Sequence, residues 1–216
     1  MVMFVLLSFP FFGNAQIGDI INRDRDREVV SKPTRSTSTI DLNRLARSIT
    51  YGMPSEATKS KAIFNWIAAN IAYDHSLHTN KKLQREIYTS ETNVVQEALE
   101  RKKALCGGYA MLFRDLCAEV GIKAEIVHGY TKLHNGQTRT SNKVNHTWNA
   151  VKIAGQWQLL DITWAKSHSQ DFRPNLFWYH TAPTDFIKTH YPQNKKWTFL
   201  KNPMSLDQFD RPVLSQ

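Results

Sequence analysis

The stretch HTWNAVKIAGQWQLLDITW, residues 146–164, decides how this chain is read. It contains two β-type runs, HTWNAVKIA and QWQLLDITW, joined at Ala154 and Gly155 by what reads as a tight hairpin turn. A two-residue turn there sets His146 opposite Thr163 and makes Asp161 its diagonal neighbour on the same face, ~7 Å away between backbones. A turn centred one residue earlier sets His146 and Asp161 directly opposite. Either register lets the carboxylate accept from one imidazole nitrogen. A loop with an odd number of residues would send the two side chains to opposite faces.

Upstream of the hairpin, KAEIVHGYT (123–131) is a further β-type run. Before it, CGGYAMLFRDLCAEVGI (106–122) reads as a buried helix with Gly121 at its C-terminal stop. Earlier still, Leu42, Leu45, Ala46 and Ile49 recur at helical spacing behind Asp41, a capping residue. Pro54 then offers a first-turn proline to a helix whose core face carries Ala62, Ile63, Trp66, Ile67 and Ile71. Residues 73–91 read as a long loop or surface excursion. Val94, Val95, Ala98 and Leu99 suggest a short helix after Thr92. Several helices followed by an antiparallel sheet make an α+β architecture.

The chain has 216 residues, 41% hydrophobic and 22% charged, enough for one globular domain with a real core. Its basic residues (net charge +9) are scattered, and no nucleic-acid-binding motif focuses them. Residues 1–15, MVMFVLLSFPFFGNA, carry no charge and end in small residues before Gln16, the pattern of a signal peptide. The competing reading is a buried N-terminal strand. The apolar run is shorter than the ~20 residues that span a bilayer. Residues 16–40 turn charged, then Ser-, Thr- and Pro-rich, and read as a flexible linker before a domain at 41–216. The expectation is an exported protein, periplasmic or extracellular, with no stable membrane anchor and no nucleic-acid partner.

The two cysteines, Cys106 and Cys117, do not suit a disulfide. On one helix, the eleven-residue step from one to the other gives a separation of ~16 Å, against the ~7 Å limit for bridged α-carbons. Cys117, between Leu116 and Ala118, reads as a small core residue. Cys106 opens the helix, where unpaired backbone N–H groups favour a thiolate. Gly107 and Gly108 leave room for a substrate backbone. A buried structural cysteine is the alternative. A thiolate nucleophile needs a base, and the base needs an orienting partner. His146 and Asp161 supply that pattern. Of the other histidines, His75 and His78 form an H-x-x-H spacing without further ligands, a weak zinc signal. His128 sits mid-strand, and His134, His168 and His180 belong to no constellation.

Three blocks carry a resemblance: CGGYA at 106–110, HTWNA at 146–150 and LDITW at 160–164. Together they resemble the transglutaminase-like superfamily, in particular the branch that includes the kyphoscoliosis peptidase and many secreted bacterial proteins. FNWIAANIAYD (64–74), APTDFIKTHYP (182–192) and WTFLKNPMSLDQF (197–209) extend the likeness over roughly Leu42 to Phe209. The resemblance implies a papain-like core, with Cys106 at a helix N-terminus facing a sheet that bears His146 and Asp161. It also implies acyl transfer on peptide or glutamine-type amides through a thioester, with Cys106 as nucleophile, His146 as base and Asp161 as the orienting residue. Gly107, Trp148 and Trp164 are the candidates to line the substrate site, with Trp148 and Trp164 serving equally well as core. The calcium sites of animal transglutaminases do not map onto this chain, so neither metal nor cofactor is expected. Family members often have glycine after the Asp-x-Thr-Trp block, where this chain has Ala165 and Lys166. A catalytically silent module that binds peptide or cell-wall material is the alternative.

Overall fold

The structure, a computed structural model, describes residues 39–132, 143–169 and 173–211. The expected signal peptide, nearly all of the expected linker, and His134 lie outside the described residues. Among the described residues, no helix is long and apolar enough to cross a membrane.

The first half is helical. α1 (Leu42–Ile49) is N-capped by Asp41, whose carboxylate accepts from the Arg44 N–H. α2 (Glu56–Asn70) is N-capped by Ser55, and Thr58 closes a capping box with it. Pro54 therefore precedes this helix instead of occupying its first turn, because the Ser55 hydroxyl reaches the Thr58 N–H from extended backbone. α2 buries Ile63, Phe64 and Ile67.

Residues 73–91 are not the expected loop. They form β1 (Ala72–Tyr73), α3 (His75–Thr79) and α4 (Lys81–Ile87), and they bury Leu77, Gln84, Ile87 and Tyr88. These helices are one or two turns long, too short for apolar periodicity to register. Their stop-start pattern is set by side-chain caps. Asp74 accepts from the Leu77 N–H, and Asn80 accepts from those of Lys82 and Leu83. α5 (Glu91–Arg101), capped by Ser90, follows. It leads into β2 (Lys103–Ala104), which pairs in parallel with β1 immediately before Cys106.

α6 (Cys106–Ala118) is the central helix. Met111, Leu112, Phe113, Leu116 and Cys117 are fully buried on it. It ends where the Ile122 N–H reaches back to the Cys117 carbonyl and Gly121 adopts φ +78°. The expected glycine stop is therefore observed. α6 packs α2 and α5 on one side against a five-stranded antiparallel sheet on the other, as the α+β reading requires. The strands are β3 (Ala124–Thr131), β4 (His146–Ile153), β5 (Gln156–Leu160), β6 (Tyr179–Thr181) and β7 (His190–Pro192), in the order β6-β5-β4-β3-β7.

The β4–β5 turn has two central residues, Ala154 at φ 48° and Gly155 at φ 81°. Both are left-handed, as the twist of a two-residue hairpin demands. Ala154 adopts this region at a cost of roughly 1–2 kcal/mol, and its N–H donates to Glu56 Oε2 at 2.8 Å. Ile153 pairs with Gln156 and Asn149 with Leu160, which is the first of the two expected registers. The strand reading of Asp161-Ile-Thr-Trp, however, does not hold. β5 stops at Leu160, and α7 (Ile162–Ser167) begins at once, because Asp161 Oδ1 accepts from the Trp164 N–H and caps the turn. Beyond it come a 3-10 turn (Leu176–Trp178), α8 (Pro183–Phe186), a second 3-10 turn (Lys195–Thr198) and α9 (Leu206–Asp210). Phe209 joins Tyr130, Ile187 and Tyr191 in a small apolar cluster at the β7 edge.

Candidate functional site

Two features fix the start of α6, one against the five-stranded sheet and one against β2. Asn149 Nδ2, buried on β4, donates to the Ala110 carbonyl at 3.0 Å and to the Glu125 carbonyl at 3.2 Å. The bond to Ala110 ties the second turn of the Cys106 helix to the strand that begins at His146. At Gly108, a Cβ would lie 3.0 Å from the Ala104 Cβ, so the helix can sit close on β2. Cys106 is the first residue of α6, and no side chain caps the helix there. Its opening N–H groups therefore retain the partial positive charge of a helix N-terminus. Cys106 is 5% exposed and Gly107 is buried.

His146 and Asp161 are in direct contact. His146 Nε2 donates to Asp161 Oδ2 at 2.5 Å, and both residues are almost fully buried. Burial disfavours the charged imidazole, but the Asp161 carboxylate, aided by its hydrogen bond, outweighs it. The Cys106 side chain adds to the effect, and the His146 pKa rises to about 10. Burial also works against the Asp161 carboxylate, and here too it loses. His146 and His190 hold that carboxyl well below the usual range. With Nε2 engaged by Asp161, Nδ1 is the His146 nitrogen left for a further partner.

A second imidazole completes the cluster. His190 Nε2 lies 3.0 Å from Asp161 Oδ2, and His190 Nδ1 lies 2.8 Å from Thr189 Oγ1. His190 is wholly buried, and burial pushes its pKa down to about 4 in spite of Asp161. Aromatic rings enclose it, with Phe186 at 4.2 Å between centroids, Trp164 at 4.5 Å and Trp148 at 5.1 Å.

Of its two readings, substrate wall or core, Trp148 takes the core: it is 2% exposed and packed between His146, His190 and Phe186. Gly129 on β3 makes room for it. A Cβ there would meet Trp148 Cη2 at 2.4 Å and the Tyr191 carbonyl at 2.3 Å. Trp164 is half-buried, its ring 6.2 Å from that of His146. His75 and His78 lie on α3, and the His128 Nδ1 pairs with the Thr147 hydroxyl.

Among the described residues, His146, Asp161 and His190 bring three potential metal-ligand atoms within 4.8 Å of one another. Each of these atoms already hydrogen-bonds within the cluster, so a metal would have to displace those bonds. Cys117 is a buried free thiol, as expected of a core residue.

The transglutaminase-like superfamily model matches residues 43–162, more than half of the chain. Kyphoscoliosis peptidase of Mus musculus is 34% identical over 180 residues, covering 80% of this chain and 26% of its own length. This chain belongs to the transglutaminase-like superfamily. The human kyphoscoliosis peptidase is 33% identical over 182 residues, covering 81% of this chain and 26% of its own. Hillarin of Drosophila melanogaster is 23% identical over 206 residues, covering 87% of this chain and 24% of its own. The chain thus spans about a quarter of the length of these relatives.

His190 escaped the sequence reading. It lies on a three-residue strand, 29 residues beyond Asp161, with no hairpin linking the two. The signal that could have found it is a histidine beside a β-branched residue in a short strand downstream of the hairpin, which is too common a pattern to single out.

Proposed function

We propose that this chain is a cysteine-nucleophile acyl-transfer enzyme acting on peptide or glutamine-type amides, either as a peptidase or as a transamidase. The observation that carries this reading is the buried His146–Asp161 hydrogen bond; Cys106, at the start of α6, helps raise the pKa of that imidazole, which supports its place beside the pair. In this reading His146 Nδ1 takes the proton of the Cys106 thiol, and the sulfur attacks the amide carbonyl carbon. Charge moves to the carbonyl oxygen, where the Cys106 backbone N–H donates. Such a donor contributes about 3 kcal/mol. When the tetrahedral intermediate collapses, the C–N bond breaks and His146 returns its proton to the leaving amine. Water or a second amine then attacks the thioester and regenerates the thiol. Asp161 keeps the imidazole in one tautomer without taking the proton. The name of the peptidase relatives supports the same chemistry. The uncharged segment at residues 1–15 supports placing the enzyme outside the cytoplasm.

The test needs no known substrate. Iodoacetamide should modify Cys106 at roughly pH 6, well below the ordinary thiol midpoint of about 8.5. Peptide mapping separates this adduct from Cys117. His146→Ala should abolish the low-pH labelling. Equal labelling in the wild type and the variant would refute the ion pair. The 5% exposure of Cys106 favours a second reading, a silent peptide-binding module. In that case Cys106 would resist the reagent in the native protein and react only after unfolding.

A further inference from the structure

The Asp161 carboxylate has more partners than a His-Asp pair requires. Oδ1 accepts the Trp164 N–H at 2.9 Å, while Oδ2 accepts from both His146 and His190. Three elements thus converge on one carboxylate: β4 through His146, α7 through its first turn, and the edge strand β7 through His190. The tautomer of His190 follows from its partners. A carboxylate cannot donate, so Nε2 must carry a proton. Nδ1 then accepts from the Thr189 hydroxyl, at 2.8 Å a better partner than the Phe186 carbonyl 3.4 Å from the same oxygen. The ionisable groups facing His190 are Asp161, His146 and His168, and the rings of Trp164, Trp178 and Phe186 pack around it.

We propose that His190 is a fourth member of the site, a positioning residue whose Nε2–H holds Asp161 Oδ2 aimed at the His146 imidazole. It touches neither substrate nor sulfur and acts through Asp161. Two donors on one oxygen fix its position better than one, because the carboxylate can no longer swing away from the ring when His146 gives up its proton. As a neutral donor, His190 also supports the carboxylate without adding a positive charge that would compete with protonated His146. This role rests on the acyl-transfer reading, since it matters only if His146 must accept and return a proton.

The test uses the full chain and the rate of iodoacetamide labelling of Cys106 between about pH 5 and 9, with thermal denaturation as a folding control. His190→Phe keeps an aromatic ring and removes the donor, and should slow labelling at the acid end about tenfold. His190→Gln places an amide N–H near the Nε2 position and should restore most of the rate. In an Asp161→Asn background, His190→Phe should add little, because the two act in series. If His190→Phe does not fold, Thr189→Val removes only the hydroxyl on Nδ1 and should slow labelling about threefold. A folded His190→Phe with the wild-type profile overturns the inference. So does His190→Gln as slow as His190→Phe, or an undiminished effect in the Asp161→Asn background. A rate unchanged by His146→Ala overturns the acyl-transfer reading and this inference together. A slowed His146→Ala beside an unaffected His190→Phe overturns the His190 role alone.

Discussion

At the scale of single residues, the site depends on side chains that leave no slack around them. Gly129 stands opposite both His146 and Pro192, and the Trp148 ring fills the space where its side chain would be. Two of the three atoms that a Cβ would strike belong to the backbone of β7, so the neighbours cannot simply rotate away. Gly129→Ala should therefore cost about 3 kcal/mol, the upper end of overpacking, or about 6–12 °C in Tm. Scanning calorimetry checks this. The same variant should also lower Cys106 labelling, because Trp148 packs beside both histidines.

At the scale of elements, the chain segment that delivers Cys106 is held by a buried ion pair. Asp74 is fully buried at the start of α3, where it accepts from the Leu77 N–H and the Ser76 hydroxyl. Arg101, at the end of α5, meets its other oxygen at 2.5 Å. Between them the pair clamps the ends of β1 and β2, and β2 runs directly into Leu105 and Cys106. Arg101→Met would leave a carboxylate buried with its hydrogen bonds but without its counter-charge. The expected loss is about 3 kcal/mol, at the low end for broken buried pairs because the cap bonds survive. Urea denaturation would show this as a lower midpoint at an unchanged slope.

At the scale of the whole molecule, the buried imidazoles give stability a definite pH dependence. His146 is raised from 6.5 to about 10 in the fold, so its contribution is complete below about pH 6.5 and fades as pH climbs toward 10. His190 is lowered from 6.5 to about 4, so stability is lost as pH falls from 6.5 toward 4. Asp161 is also lowered, and adds a further loss at more acid pH. The maximum should therefore lie near pH 6.5. Burial raises Cys117 above its ordinary 9.0, so that thiol weakens the fold only at more alkaline pH. The decline between about pH 6.5 and 9 belongs to His146. Thermal melts should show this decline flatten in His146→Phe, and the acid decline shrink in His190→Gln.

Much of this protein was legible before any coordinates. The α6 helix, its glycine stop, the two-residue turn at Ala154-Gly155 and the meeting of His146 with Asp161 all follow from short-range rules. Helical spacing, the left-handed demand of a hairpin turn and the two-residue period of a strand act between near neighbours in sequence. The three sequence blocks then located Cys106 through family resemblance. Other features needed the packed molecule. Asp161 leaves its strand because a helix cap competes with the ladder, and tertiary contacts decide which wins. The 73–91 segment gains its helices from caps and a buried ion pair to a residue far along the chain. Trp148 is core and not wall because Gly129 opens a space for it from another strand. His190 reaches Asp161 only because β7 docks on β3 at the edge of the sheet. Pairings set by neighbouring residues can be read along the chain, whereas those made when distant strands dock exist only once the sheet has closed.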